Sequence, residues 1–446
     1  MVLLDETVVA VALDPMARGL GMSTSAMHRV VLLYALSLAA LVPVGGMAAR
    51  KFGLLPVFRS GAVLFSLASA CCGLTPAGGL AVPFVLTARA AQGAGAALML
   101  PVATTVITDV YEEHERGRAL ATYAGLAQTF FVVGPLAGAL LTQFFGWRSI
   151  FLINIPLGGA VLWTLARARL SDQAPGEPVR VLQPLLMTLA LVVLASALYQ
   201  SGIWGLGART VPALAFGLLL LALSVRVIVR SAHPVLNLGL LRNPTYAVAA
   251  AVTFLVRAAQ FPVLVHGAVY LRQALHLPVL GAGVSLLPFV SALAVGTFTS
   301  GYLLEHSRSV RVPVLWGLAG ATLGTAGWAA ALPGGAYLWQ VPGMIVAGFG
   351  MGMPIPALSA EMMSSVSVDD RADASVLRQT LRQLGGAFGL AAAGALVLAA
   401  NDPESNAVGN IRASATLHGF VFASIVLGVT FVLAVARLPR KRTPFP

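Results

Sequence analysis

Charge is what this 446-residue sequence has least of. Asp, Glu, Lys and Arg together make up 10% of it, against about a quarter in a soluble domain. Lysine is nearly missing: only Lys51 and Lys441 occur, and arginine supplies the rest of the positive charge. The two cysteines, Cys71 and Cys72, are adjacent in an apolar run. That excludes a disulfide framework and a metal site, and leaves them as small packing or lipid-facing residues. No Walker-type phosphate loop occurs, so the chain does not draw on ATP. The glycine-rich stretch GFGMGMP at 348–354 lies in an apolar span and reads as packing. The EEHER run at 112–116 lacks the spacing of a zinc protease helix and reads as a solvated loop. The N-terminus has no basic region and carries Asp5 and Glu6, so it is not a signal peptide. The net charge of +12 sits between apolar runs without an aromatic-interleaved patch, which argues against a nucleic-acid partner. No cofactor and no metal is expected, and the absence of a Ser/His, paired-Asp or metal constellation leaves an intramembrane enzyme a remote reading.

What is present is apolar length. Hydrophobic residues make up 58% of the chain, and runs such as residues 30–49 recur from end to end. A bilayer core of about 30 Å takes roughly 20 apolar residues as helix. The pattern predicts about fourteen spans, near 2–14, 27–49, 57–75, 83–107, 119–143, 149–168, 181–201, 211–229, 244–271, 280–304, 312–331, 338–360, 377–399 and 415–436. The fold class expected is an all-α polytopic membrane protein. With an internal N-terminus, twenty of the 28 basic residues fall in inner loops or at inner helix ends, and six fall outside. Arg89 and Arg257 lie within spans. This bias places both termini in the cytoplasm.

The longest polar linker, residues 171–180, closes a first block of six spans, and a second break at 230–244 opens a last block of six. The division expected is 1–170, a six-helix bundle; 171–231, two inserted helices; and 232–446, a second six-helix bundle. A faint repeat supports it: residues 46–53 and 301–308 each end the second span of a block in a basic turn. Parallel repeats of this kind put a substrate site at their interface, near the midplane.

Single residues stand out against this background. Arg89 lies about six residues, roughly 9 Å, inside its span, and Arg257 about thirteen residues from either end of the ninth. Charges at such depths are costly and mark functional sites, although snorkelling of Arg89 and a structural ion pair at Arg257 are competing readings. Gln92, Asn154 and Glu361 join Arg257 as candidates for a substrate cavity. His266 lies about 180° around the helix from Arg257 and reads as packing. Gly134, Pro135 and Gly138 form a small-residue face with a missing backbone donor, and Gly93, Gly95, Ala96 and Ala97 flatten a second face.

Several stretches resemble one family. Residues 88–120 (ARAAQGAGAALMLPVATTVITDVYEEHERGRAL) and 132–158 (VVGPLAGALLTQFFGWRSIFLINIPLG) are similar to the fourth-span and fifth-span motifs of major facilitator drug exporters. Residues 3–13 (LLDETVVAVAL) and 381–396 (LRQLGGAFGLAAAGAL) resemble the first and thirteenth spans of the fourteen-span drug:proton antiporters, the EmrB/QacA type. The resemblance covers nearly the whole chain. It implies a major facilitator fold of two six-helix bundles plus two inserted helices in a bacterial inner membrane. It also implies proton-coupled export of small amphipathic drugs by alternating access. Asp5, with Glu6 and Arg89, would couple protons; Gly134, Pro135 and Gly138 would form the pivot; Gly46, Arg50 and Gly53 would form the gating loop. The expected partners are a small-molecule substrate, protons and the lipid bilayer, and a periplasmic adaptor stays open.

Three departures bear on these expectations. The family's gating aspartate is Arg50 here, and its basic pair is Leu54 and Leu55, so the inner charge lock is altered; Glu305, near Arg308 and Arg311, is a candidate for the acidic role. In the first-span motif the usual asparagine is Ala10 and the usual proline Asp14. Only four residues precede Asp5, where the family's span begins well before, so a late start or a truncation is expected. Asp5 and Glu6, about 100° apart, cannot face one cavity equally, and either could meet Arg257. Arg89 and Arg257 together argue for an anionic, zwitterionic or neutral substrate. The alternatives are an uncoupled or metabolite-import facilitator, and a degenerate membrane sensor.

Overall fold

A computed structural model describes residues 1–110, 113–167, 182–205, 207–231, 234–307, 309–367, 370–401 and 411–438. The linker at 171–180, Glu112 and Arg308 lie outside them, as does the side chain of Glu305. The described chain is helical, with no strand among the described residues. The first block comprises α1 (Val2–Leu20), α2 (Thr24–Phe52), α3 (Leu54–Gly73), α4 (Ala81–Val110), α5 (Glu113–Phe145), α6 (Ser149–Leu152) and α7 (Asn154–Arg167). Then come α8 (Leu182–Trp204) and α9 (Thr210–Val229). The last part holds α10 (Pro244–Gln273), α11 (Val279–Ser285), α12 (Leu287–Ser307), α13 (Arg311–Ala331), α14 (Tyr337–Gly352), α15 (Pro354–Ser364), α16 (Arg371–Ala400) and α17 (Ala413–Arg437).

Twelve stretches of helix are long and apolar enough to cross a membrane among the described residues. The fourteen spans expected from the sequence therefore reduce to twelve by this measure, and α1 and α4 are the two left out. For α1 the reason is charge, since it carries Asp5, Glu6, Asp14 and Arg18; in α4, whose side chains are described only in part, Arg89 and Gln92 lower the apolar character of the described portion. Both helices are nonetheless long and pack inside the bundle. Three predicted spans are each split into two helices, at Ile153, Leu286 and Met353. Each break comes shortly before a proline (Pro156, Pro288, Pro354), which lacks a backbone donor and crowds the preceding turn.

Local signals set the helix ends. Ser23 accepts from the Ala26 amide to start α2, and Asn243 accepts from the Thr245 and Tyr246 amides ahead of Pro244 to start α10. Gly53 joins α2 to α3 in a one-residue turn at φ 91°, a conformation that favours glycine. Large apolar side chains such as Leu67, Leu74, Trp316, Leu323, Leu338 and Trp339 point outward. Such a surface is stable against lipid and not against water.

The two ends of the chain meet along two seams. On one, α2 packs against α16; on the other, α5 packs against α11 and α12. Between them α1 packs on α10, and α8, paired with α9, contacts both α2 and α16. Glycines permit the closest approaches. A Cβ on Gly134 would strike the Thr7 hydroxyl, and one on Gly138 would come within 2.8 Å of the Val8 carbonyl oxygen, so α5 lies directly on α1. The Pro135 carbonyl and Ala139 of the same stretch face Gly283 of α11.

Candidate functional site

The charged residues of α1 organise the interior. Asp5 and Glu6 are both buried, and their 100° separation sends them to opposite parts of the molecule. Asp5 faces the first block. Its Oδ2 accepts from Arg89 Nη1 at 2.7 Å, and its Oδ1 accepts from Gln92 Nε2 at 2.9 Å. Arg89 also donates to Gln92 Oε1 and, through Nε, to the Val30 carbonyl at 3.1 Å. The Arg89 guanidinium lies 4.2 Å over the Tyr34 ring, a favourable place for a cation cut off from water. Gln92 Nε2 and Asn154 Nδ2 both donate to Ser69 Oγ, at 2.8 and 3.0 Å. Five elements of the first block thus converge on one polar cluster with no solvent exposure at Arg89 or Gln92.

Glu6 faces the last block. Its Oε2 accepts from Arg257 Nη2 at 2.5 Å, and its Oε1 accepts from Gln383 Nε2 at 3.4 Å. Arg257 Nη1 donates to Gln260 Oε1 at 3.1 Å, while its buried Nε has no partner among the described residues. Of the two acidic residues that could meet Arg257, the one that does is Glu6. Further along α1, Asp14 accepts from Arg272 Nη2 at 2.8 Å and Gln273 Nε2 at 2.9 Å. α1 therefore holds α10 at two levels by charge.

A cavity of about 190 Å³ lies beside the Glu6–Arg257 pair. One wall is polar, with Arg257 and Gln260 of α10 and Arg378, Gln379, Arg382 and Gln383 of α16. The other is mostly apolar, with Leu3, Leu100, Phe131, Leu293 and Ile355. Arg89, Gln92 and Asn154 do not line this cavity. The sequence placed Gln92 and Asn154 in it, but hydrogen bonding draws them into the Asp5 cluster instead. Arg89 does not snorkel, because Asp5, Gln92 and Tyr34 supply its environment in the interior. Glu361 is buried on α15 and does not line the cavity either. His266 packs edge-on against His28 at 4.9 Å, away from Arg257.

Sequence reasoning missed Arg378 and Arg382 and counted them only as inner-end charges. The signal was the repeated Arg-Gln pair at a four-residue interval (Arg378-Gln379, Arg382-Gln383), which puts both arginines on one helix face. It also treated Asp14 only as a departure from a motif. In the loop expected to gate, Arg50 lies 3.6 Å from Asp373 on α16, and Gly46, one turn earlier, faces Val376 of the same helix. Arg50 thus meets an acid across the α2–α16 seam. Gly53 forms the turn already described. Among the described residues, no group of three His, Cys, Asp or Glu side chains is arranged to hold a metal.

Two sets of helices, joined along seams and by ion pairs around a central cavity, have the architecture of a membrane carrier. The chain belongs to the Major Facilitator Superfamily, whose sequence profile matches residues 1–390. It is a multi-pass membrane transporter and not an enzyme. It is 33% identical to the cephamycin export protein CmcT of Amycolatopsis lactamdurans, an alignment covering 98% of this chain and 89% of that one. It is 30% identical to the puromycin resistance protein pur8 of Streptomyces alboniger, covering 98% and 88%. The fold is also that of a bacterial homologue of the human lysosomal transporter Spinster in an inward-facing, unoccupied conformation, with TM-score 0.68, 18% identity, and coverage of 99% of this chain and 96% of that one.

Proposed function

We propose that this protein exports small amphipathic molecules, antibiotics among them, in exchange for protons. The observation that carries this reading is on α1: adjacent carboxylates each hold a buried arginine, one in the first block and one in the last. Protonating Glu6 removes the charge that holds Arg257, and so loosens a contact between the two blocks. Protonating Asp5 does the same to Arg89 within the first block. A proton can therefore change which helices α1 is tied to, as a carrier that rocks between two states requires. The Gly134, Pro135 and Gly138 face, lying directly on α1, acts as the pivot, and Arg50 with Gly46 forms the gate on the α2–α16 seam. The relatives named as export or resistance proteins support the direction of transport.

On this reading the chain crosses a bacterial inner membrane fourteen times, as in the EmrB/QacA branch, with both termini in the cytoplasm. α1 and α4 cross as polar spans, stabilised by the partners that α2, α3, α7 and α10 provide. The two blocks, 1–170 and 232–446, rock around the cavity while 171–231 supplies the inserted pair. The cavity then lies toward the cytoplasm, because its lining comes from the end of α4, the first half of α5 and the first half of α16.

The test uses inside-out vesicles with an acid interior, a pH dye and a panel of cationic, neutral and anionic drugs. Wild type should release protons when a drug is added, and Asp5→Asn and Glu6→Gln should each abolish the release. Drug uptake with no proton movement would reject coupling and leave an uncoupled facilitator. Binding with neither flux would indicate a sensor.

A further inference from the structure

We propose that the cavity is an anion site, and that the molecules it takes carry a carboxylate or similar acidic group bound by Arg257, Arg378 and Arg382. The inference rests on the export reading and adds the substrate's chemical class to it. Three guanidinium groups line the polar wall, and no lining residue is acidic. Glu6, the carboxylate paired with Arg257 on this wall, is already shared between Arg257 and Gln383. Three guanidinium groups on the wall exceed the single negative charge that Glu6 supplies.

The guanidinium groups also have donors to spare. Arg378 donates through Nη1 to Ser359 Oγ at 3.3 Å, and its buried Nε has no partner among the described residues. Arg257 Nε is in the same condition. Arg382 makes no hydrogen bond or ion pair to a described residue. Unsatisfied buried donors are costly, and a planar fork of donors matches a carboxylate. Arg378 and Arg382 sit four residues apart on α16, one above the other, so a single acid group can reach both. Gln379 and Gln383 flank them as neutral donors. Leu100, Phe131 and Leu293 across the cavity accept an apolar body. The site thus suits an amphipathic acid, with its charge on α10 and α16 and its ring or chain against α4, α5 and α12. An amphipathic cation would meet three like charges there.

The test measures binding by isothermal titration to the purified full chain in lipid nanodiscs, using compounds matched in shape and differing in charge. These are 1-naphthoate, 1-naphthamide and 1-naphthylmethylammonium, together with benzylpenicillin and its methyl ester. At least one acid should bind about tenfold more tightly than its uncharged counterpart, the range of one charge-assisted hydrogen bond. Arg378→Gln and Arg382→Gln should each remove most of that preference, and Arg382→Lys should keep part of it. Thermal denaturation of each variant checks that it is folded. Equal binding of acid and neutral partner in both series, or tighter binding of the ammonium compound, overturns the proposal. So does a preference that survives both glutamine variants. Uptake of the same five compounds into energised inside-out vesicles, measured in parallel, separates the two readings. Export without acid preference rejects the anion site and leaves export standing; acid preference without export of any compound does the reverse.

Discussion

Arg89 is fully enclosed, and its partners make that tolerable. Asp5 neutralises it, Gln92 and the Val30 carbonyl accept from it, and Tyr34 covers one face. A buried pair of this kind contributes little relative to apolar packing, yet removing one partner strands the other and costs about 3–5 kcal/mol. Arg89→Gln and Asp5→Asn should therefore each lower the denaturation midpoint in detergent by a large margin. The double substitution should recover much of the loss, because two amides can still bond to each other and to Gln92. A double variant no more stable than either single one would show that the pair is not the unit. Asp5 and Arg89 of this cluster were legible in the sequence, since a charge inside an apolar run is conspicuous, whereas Tyr34 and Ser69 carried no such signal. The partners of Asp5 and Arg89 were not legible. Which helix Asp5 faces depends on the rotation of α1, and that is set by Gly134 and Gly138 far away in sequence. Helical geometry alone supplied one constraint on the pairing: neighbours 100° apart must diverge, and Asp5 and Glu6 do.

At the scale of elements, the helices follow from apolar length. Twelve of the fourteen expected spans coincide with helical stretches apolar enough to cross a membrane, three of them broken near a proline, and the other two fall on α1 and α4, which are not in that set. The breaks were not read because a proline inside a long apolar run allows either outcome: α5 continues through Pro135, while α14 and α15 divide before Pro354. What length and hydropathy do not report is which helix touches which, and glycine contacts decide that. The contact between α5 and α1 offers a direct test. A methyl group on Gly134 would meet the Thr7 hydroxyl, which itself donates to the Leu4 carbonyl at 3.1 Å. Gly134→Ala should therefore overpack the contact, costing about 1–3 kcal/mol, and slow transport while insertion persists. Adding Thr7→Ala removes the nearest atom and should restore part of both stability and transport. The cycle yields a coupling energy only if the two side chains meet as described. Purely additive effects would place the pivot elsewhere.

For the whole molecule, the question is which state the two blocks prefer, and two charge contacts across them differ in weight. Arg50 and Asp373 lie 3.6 Å apart and are partly open to solvent, with side chains 34% and 43% exposed. Pairs this exposed are worth about 0–1 kcal/mol, which moves a two-state ratio by at most roughly fivefold. Asp14 is 2% exposed and Arg272 14%, and Gln273 adds a second bond to the same carboxylate at 2.9 Å. Breaking that contact leaves buried donors behind, a penalty on the order of 3 kcal/mol. On the proposed topology Asp14 and Arg272 lie at the outer side and Arg50 and Asp373 at the inner side. The outer contact then outweighs the inner one, in keeping with a cavity toward the cytoplasm. Spin labels at Ala77 and Ala336, both exposed in loops on the proposed outer side, report the balance as a distance distribution once Cys71 and Cys72 are replaced by serine. Asp14→Asn should raise the long-distance population more than tenfold, and Arg50→Ala should change it by less than about fivefold. If Arg50→Ala produced the larger shift, the reversed charge in the gating loop would be the controlling contact, and burial would not be what ranks the two pairs.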